Sequence, residues 1–579
     1  MSLPSELEQL KNSGQAPSFI TEEALQMLKG GYLQPGETPL GAYNRVANGV
    51  AKALGMPNLS KSFFNLIWNN WLCPSTPVLA NIATDNLPIA CFSSQPADDT
   101  YDIMRHVQEN VMLTKYGGGT GSSFDNLRAR GSAISKGGLS DGIVPFLKIL
   151  EASIDGTRQG SSRRGSIASY LNIKHGDIEE FIDIRKPTGD ISRRCLTKSF
   201  HNAVTIDDEI MHEIKTKNGK YRELYNKIMT ERVENGEPYL LFLGNSNKNC
   251  PENYKGRITQ SNLCNEVSLP TTPEETFVCC LSSLNLAKYD QWKDYVDPIS
   301  GLTVVELGVF FLDGVLSEFI GKAENMKGFE NSVRFAKNHR ALGLGVLGYH
   351  TYLQLQNLAF ESFGAMQVNN AIFKKIREEA DRATLKLGKM FGECKETLGT
   401  GRRNTVTMAI APTLSNSVLS GGISQGIEPI TANLFVQKGA KGTFIKKNPT
   451  LESLLKSLNK DTSEIWDQIN RDSGSVVNLK FLSDEEKAIF ATAREINQFA
   501  LVRQASQRQQ YIDQSQSLNL FFSLPKTASD SLKVSKYINK VHLEAYELGV
   551  KGLYYLKTGS PIKGVSIIKD SEDCASCQG

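Results

Sequence analysis

Residues 259–286 read TQSNLCNEVSLPTTPEETFVCCLSSLNL. Asn262, Cys264 and Glu266 stand at i, i+2 and i+4. In an extended segment alternate side chains share a face, so the spacing predicts an amide, a thiol and a carboxylate side by side. A second pair, Cys279 and Cys280, follows after one short connection. A neighbouring carboxylate raises a thiol's pKa and opposes thiolate formation. The pattern therefore suits a thiol that works neutral, or as a radical, beside a general base. It also fits a structural cysteine on an edge strand with a solvated glutamate, since free cysteine packs as a small core hydrophobe.

Working outward, the 579 residues are enough for one large domain with appendages or for two or three domains. A hydrophobic content of 40% with 22% charged residues is that of an ordinary globular chain. The net charge of +3 argues against a dedicated nucleic-acid stripe or an anionic-membrane binder. The N-terminus, MSLPSELEQLKNSGQ, is polar and acidic and lacks the order of a secretory signal. The apolar run ELGVFFLDGVL is broken by Asp313 and is too short for a membrane span. Ten cysteines at irregular spacing do not form a disulfide framework, which points to a reducing cytoplasm.

Residues 1 to about 75 read as helical: Thr21 is placed to cap SFITEEALQML, and AYNRVANGVAKALG ends on a glycine suited to a C-cap. LPIACFSS, with Cys91, reads as a strand. DDTYDIMRHVQENVMLTKYG has helical spacing, with Asp99 or Thr100 as cap, and VPFLKILEASI starts on a permitted first-turn Pro145. The glycines of KYGGGTGSSF fit tight backbone packing better than a phosphate loop. TRQGSSRRGS sets Arg158, Arg163 and Arg164 among Gly and Ser, a loop that is either solvated or grips an anion. TVTMAIAPTLSNSVLSGG offers a strand, then Pro412, Thr413, Ser415 and Ser417 at a helix start. That order makes a backbone-amide anion site or a plain hydroxyl cap. Residues 482–512 read as helical, and NLFFSL and GLYYLKT as strands around one more helix. The end carries Cys574 and Cys577; one CxxC lacks the partners of a structural zinc site, leaving a redox dithiol or a disordered end with incidental cysteines.

From about Phe19 to the tail these motifs resemble the large catalytic subunit of class I ribonucleotide reductase. SNLCNEVSLP resembles the finger loop with the radical cysteine, and CPSTPVLANI with LPIACFSS the first barrel strand region. CCLSSLNL resembles the segment holding the second reducing cysteine, APTLSNS the substrate phosphate loop, and LYYLKT the tyrosine pair of the radical path. The fold implied is α/β: a helical N-terminal domain over 1–73, a ten-stranded α/β barrel of two five-stranded halves with an internal finger loop over 74–560, and a mobile redox tail over 561–579.

The resemblance also implies roles. Cys264, as a thiyl radical, takes the C3′ hydrogen of a ribonucleotide, and Glu266 takes the 3′-hydroxyl proton as general base. Asn262 holds substrate or the glutamate. Cys91 and Cys279 supply two reducing equivalents and end as a disulfide; Cys279 is chosen over Cys280 for its distance to Asn285. Thr76, Pro412, Thr413, Leu414, Ser415 and Asn416 bind substrate. Tyr555 and Tyr554 stack and relay the radical from a separate metal-containing small subunit, and no metal or cofactor is expected in this chain. Cys574 and Cys577 reduce the disulfide and are themselves reduced by thioredoxin or glutaredoxin. About nineteen residues separate Tyr555 from Cys574, an extended reach of roughly 60 Å. Asp99, Thr100, Arg128, Arg158 and Arg164 bind nucleoside triphosphate effectors (ATP, dATP, dTTP or dGTP) at a homodimer interface built by the helices near 100–116 and 143–154.

Two departures stand out. Only about fifteen residues precede the helical lead-in, so the N-terminal ATP-binding module of family members under on/off control is expected to be missing. Ala90 stands where many members have serine before the reducing cysteine. The rival readings are a cobalamin-dependent reductase, which does not need the tyrosine pair, and a non-catalytic nucleotide-binding homologue.

Overall fold

Caps set the N-terminal helices. Thr21 accepts the Ala24 N–H and opens helix Glu22–Lys29, while helix Pro39–Leu54 starts at Thr38 and stops at Gly55, whose φ of +79° suits glycine. The buried stripe Val46, Val50 and Leu54 lies against helix Val304–Ala323. Gly314 permits that approach, since a Cβ there would meet the Val50 carbonyl at 2.8 Å. The computed structural model describes residues 4–135, 137–157, 165–216, 219–248, 257–439, 442–524 and 528–559. Arg158, Arg163, Arg164, Cys574 and Cys577 therefore lie outside the described residues, as does the segment 561–579.

After the helices come β1 (Leu72–Pro74), β2 (Cys91–Ser94), β3 (Gly119–Ser123), β4 (Ser166–Asn172), β5 (Phe200–Ile206), β6 (Tyr239–Phe242), β7 (Phe277–Asn285) and β8 (Leu342–Leu347). The hairpin β9 (Leu434–Gly439) and β10 (Gly442–Lys447) stands apart, and β11 (Leu520–Ser523), β12 (Gly552–Leu553) and β13 (Leu556–Gly559) close the order. Strands β2 to β6 form one parallel half in sequence order. β7 runs antiparallel to β2 and parallel to β8, and β12 runs antiparallel to β6. Between β8 and β12 the ring continues through the bridges Leu344–Met408 and Ile410–Gln516 and a Tyr554 N–H to Leu518 C=O bond. The sheet thus curls into a barrel behind a helical domain. The stretches 405–410 and 515–518 join by single bridges, so among the described residues fewer than ten full ladders are formed.

Alternation along the strands sorts the two faces, as a barrel requires. Ile167 and Leu171 of β4 and Leu240 and Phe242 of β6 join the outer core. Ala168, Tyr170, Ala203, Tyr239 and Leu241 face inward and pack with Leu263, Cys264, Tyr554 and Tyr555. Outside the barrel, Asp313 on helix Val304–Ala323 is fully buried, and its carboxylate accepts from Arg340 Nε (2.8 Å), Arg403 Nε (2.9 Å) and Asn404 Nδ2 (2.9 Å).

Three sequence expectations change. Residues 405–410 make bridges rather than a ladder. The helical span 482–512 divides into helices Asp484–Ile489 and Gln498–Gln509. Residues 259–269 are not an extended strand: the chain turns at 263–265 with Asn265 at φ +64°, a left-handed conformation that asparagine tolerates better than most residues.

Candidate active site

The turn at 263–265 is held inside the barrel by its own polar groups. On entry Gln260 Nε2 donates to Ser93 Oγ and to the Ser94 carbonyl of β2, both at 2.7 Å. The Asn262 Oδ1 accepts the backbone N–H groups of Glu266 (3.1 Å) and Val267 (3.2 Å), and Ser261 Oγ donates to the Val267 carbonyl (2.6 Å). Tyr170 OH donates to the Asn262 carbonyl (2.6 Å), Ser517 Oγ to the Cys264 carbonyl (2.6 Å), and Asn265 Nδ2 to the Leu240 carbonyl of β6 (3.1 Å). This polar cage replaces the water a loop ordinarily needs. The expected grouping of Asn262, Cys264 and Glu266 is therefore made by a turn folding back on itself, not by a pleat.

Glu266 is 1% exposed, which removes the solvated-glutamate alternative. Asn262 Nδ2 donates to Cys91 Sγ at 3.1 Å, and that thiol lies 3.9 Å from Glu266 Oε1. Cys91 and Cys279 are direct cross-strand partners on β2 and β7. Opposed residues of an antiparallel pair have Cα atoms roughly 4.5–5.5 Å apart, inside the window of about 4.4–6.8 Å that a disulfide accepts. Burial pushes the Cys279 thiol well up; Gln514, whose Nε2 lies 3.5 Å from Sγ, opposes that and the Glu266 charge adds to it, so the thiol stays protonated. Cys280, one residue on, points to the other face, where its thiol donates to the Leu312 carbonyl at 3.5 Å. No disulfide is formed among the described cysteines.

A solvent-open pocket of about 540 Å³ reaches this cluster, lined by Ala90, Cys91, Cys264, Glu266 and, at its other end, Ser75, Thr76 and residues 411–416. There Thr413, at φ +59°, opens the short helix Leu414–Leu419, and its Oγ1 accepts the Gly426 N–H (2.7 Å). Ser75 precedes helix Thr76–Asn81, so the first turns of two helices border one mouth. The Ser75 and Ser415 hydroxyls are buried there without a hydrogen-bond partner among the described residues. Unpaired backbone N–H groups and hydroxyls suit an anion.

On the opposite side of the turn, β12 ends at Leu553 and β13 starts at Leu556. In an unbroken strand Tyr554 and Tyr555 would face opposite ways. The break lets both rings lie inside, with centroids 4.4 Å apart and planes at 55°. They touch but do not stack, and Tyr239 packs against both, 4.6 Å from Tyr554 and 4.9 Å from Tyr555. Sequence reasoning did not find Tyr239, nor His201, Glu237, Gln514 and Ser517. The inward phase of β5 and β6 is the one signal that could have drawn attention to His201 and Tyr239.

Further away, Asp99 caps helix Thr100–Lys115 through the Asp102 N–H (3.0 Å). Arg128 lies beside that helix start, paired with Asp98 at 2.8 Å. Asp99, Thr100 and Arg128 are thus brought together, and none of them lines the pocket. Among the described residues no group of three or more His, Cys, Asp and Glu could hold a metal ion, and no helix is long and apolar enough to cross a membrane.

The family description "Ribonucleotide reductase, barrel domain" matches residues 89–219, 212–398 and 395–556, and "Ribonucleotide reductase, all-alpha domain" matches 18–86. A large-subunit relative from Frog virus 3 (isolate Goorha) is 35% identical over 550 residues, covering 91% of this chain and 93% of the relative. The ribonucleoside-diphosphate reductase large subunit of Invertebrate iridescent virus 3 is 31% identical over 609 residues, covering 90% and 92%. Among solved structures, the class Id ribonucleotide reductase alpha subunit of Actinobacillus ureae is similar, with a TM-score of 0.84 and 39% identity over 94% of this chain and 98% of that one.

Proposed function

This chain belongs to the ribonucleotide reductase large-subunit family and is a ribonucleoside-diphosphate reductase; from that premise we propose that the finger turn carries out the reduction through a thiyl radical at Cys264. Hydroxide is a poor leaving group from an unactivated carbon, and a radical at C3′ makes the neighbouring C2′–O bond labile. Cys264 takes the C3′ hydrogen and becomes a thiol. Glu266 takes the 3′-hydroxyl proton as general base, and Asn262 orients substrate and Cys91. The 2′-oxygen leaves as water, Cys91 and Cys279 give up two protons and two electrons in all and end as a disulfide, Glu266 returns its proton to the 3′-oxygen, and Cys264 returns its hydrogen atom to C3′ and is again a thiyl radical. The supporting observation is the opposition of Cys91 and Cys279 across β2 and β7 with Asn262 and Glu266 on the Cys91 thiol.

Thr413, Leu414, Ser415 and Asn416, with Pro412 and Thr76, hold the substrate diphosphate. The radical enters from a metal-containing small subunit through Tyr555 and Tyr554, which makes the enzyme class I. The disulfide is reduced by Cys574 and Cys577, and these by thioredoxin or glutaredoxin. Asp99, Thr100 and Arg128, with Arg158 and Arg164, bind a nucleoside triphosphate effector at a homodimer boundary, which gives one route for coupling effector to substrate. This reading divides the chain into 1–73, 74–560 and 561–579 and places it in the cytoplasm. The test is CDP reduction with the small subunit, ATP and dithiothreitol. Turnover that needs the partner and is abolished by Cys264→Ser supports the reading. Equal turnover in the variant removes Cys264 from the mechanism, and turnover only with adenosylcobalamin removes the tyrosine relay.

A further inference from the structure

The inward-facing position of β5 nearest the tyrosines is His201, and both it and Glu237 are almost fully buried. Glu237 Oε1 lies 2.7 Å from His201 Nδ1; its Oε2 accepts the Asn202 N–H at 3.1 Å and stands 4.0 Å from Arg185 Nε. Burial pushes this carboxyl up, but His201, Arg185 and the Asn202 amide outweigh it and hold it below the usual glutamate range. An ionised carboxylate can only accept, so Nδ1 carries the hydrogen. His201 Nε2 is buried and has no hydrogen-bond partner among the described residues, so Nδ1 is the nitrogen through which the ring is held.

The Tyr555 hydroxyl oxygen lies 3.3 Å from the same Nδ1. A nitrogen that already carries a hydrogen cannot accept from the phenol, so the contact is one N–H forked between Glu237 Oε1 and the Tyr555 oxygen. The His201 ring meets Tyr555 at 83° and lies nearly parallel to Tyr239 at 19°, each at 6.1 Å. Three groups thus fix the imidazole, and the imidazole fixes one oxygen.

We propose that His201, locked by Glu237, is a positioning residue for radical transfer, its Nδ1–H holding the Tyr555 oxygen in place against Tyr554. The inference rests on the tyrosine relay proposed above. In that step the Tyr555 phenoxyl receives one electron and one proton from the Tyr554 phenol, giving a Tyr555 phenol and a Tyr554 phenoxyl. The imidazole hydrogen stays on Nδ1 throughout and donates to the Tyr555 oxygen in both oxidation states. The oxygen need not move when its charge distribution changes, which is the condition for a short transfer.

The test places 3-aminotyrosine at position 555 of the full chain and traps its radical with the small subunit, CDP and ATP. The high-field EPR spectrum and the couplings lost on exchange into D2O are then compared in wild type, His201→Phe and Glu237→Gln. The expected result is an exchangeable coupling from the donated hydrogen that disappears in His201→Phe, with a higher gx, and weakens in Glu237→Gln. With Tyr555 native, kcat falls about tenfold or more in His201→Phe at unchanged KM, and His201→Gln, which keeps a donor, recovers part of it. An unchanged coupling and gx in His201→Phe overturn the proposal. Should that variant not fold, an unchanged coupling in Glu237→Gln overturns it equally. Tyr555→Phe separates the two layers: turnover in that variant sinks the relay itself, whereas a dead Tyr555→Phe beside an unaltered His201→Phe sinks only the positioning role.

Discussion

Replacing Gly121 by alanine tests whether the finger turn is pinned where the chemistry needs it. Gly121 sits on β3, and an added Cβ would lie 2.0 Å from the Ser261 carbonyl oxygen, 2.8 Å from Ser93 Oγ and 3.1 Å from Asn262 Cα. Carbon–oxygen contacts settle at about 3.3–3.6 Å, so the backbone at 261–262 must retreat by more than about 1 Å. Ser261 is bonded to Val267 and Asn262 to Glu266 and Val267, so the whole turn moves and takes Cys264 and Glu266 with it. A displacement of about 1 Å at a reacting centre costs on the order of 100-fold in rate, whereas overpacking costs only about 1–3 kcal/mol of stability. The assay is CDP reduction with the small subunit, beside a thermal melt. The expected pattern is a kcat down about 100-fold in a protein that still melts cooperatively. Gly321→Ala is the control, since a Cβ there meets nothing within 4 Å among the described residues. Turnover in Gly121→Ala within twofold of wild type would refute the claim that this contact sets the position of Cys264.

Two further outcomes follow from neighbouring geometry. Cys279→Ser should abolish multiple turnovers, because Cys279 faces Cys91 across the sheet, while Cys280→Ser should keep turnover within a few-fold, its hydroxyl still able to donate to the Leu312 carbonyl; product per enzyme in a CDP assay distinguishes them. Asp313→Ala should cost about 3–5 kcal/mol by denaturant melt, because Arg340 and Arg403 lose their buried partner. Burial pushes the Asp313 carboxyl up, but the two guanidiniums outweigh it and hold it below its ordinary value. A carboxyl depressed in the folded state contributes fully above its unfolded pKa of about 3.9 and loses that contribution as pH falls. The gap between wild type and variant should therefore be constant from pH 7 to 5 and narrow below about pH 4.

The parts of the fold that depend on neighbours in sequence were legible. Thr21, Asp99 and Gly55 announced helix ends because a cap is decided within four residues, and the glycine run at 117–121 announced close packing that Gly118 and Gly121 indeed make. The grouping of Asn262 with Cys264 and Glu266 was legible as a set but not as a shape. Period two suggested a pleat, whereas Gln260, Tyr170 and Ser517, distant or unremarked in sequence, supply the bonds that make a buried turn affordable. Cys279 and Cys280 could be told apart by the strand's alternation once β2 was known to lie beside β7. His201 and Tyr239 carried no motif, since their meaning comes from which strands adjoin the tyrosine break, a fact of ring closure that no local pattern encodes.

The ring is closed unevenly. From β2 to β6 it is knitted by continuous parallel ladders, whereas between β8 and β6 it is held by two bridges with the backbone bonds around them, the four-residue pairing of β11 with β13 and the two-residue β12. The weak side is a seam, and Tyr554 and Tyr555 sit on it, their backbone N–H groups tied to the Leu518 carbonyl and the Asn519 side chain. Amide exchange should accordingly be fastest along the seam, because few bonds need break there. Opening it would part the tyrosines from the turn that carries Cys264, so on the proposed relay this stretch would act as a fuse, and turnover should be lost at a lower temperature than the cooperative melt.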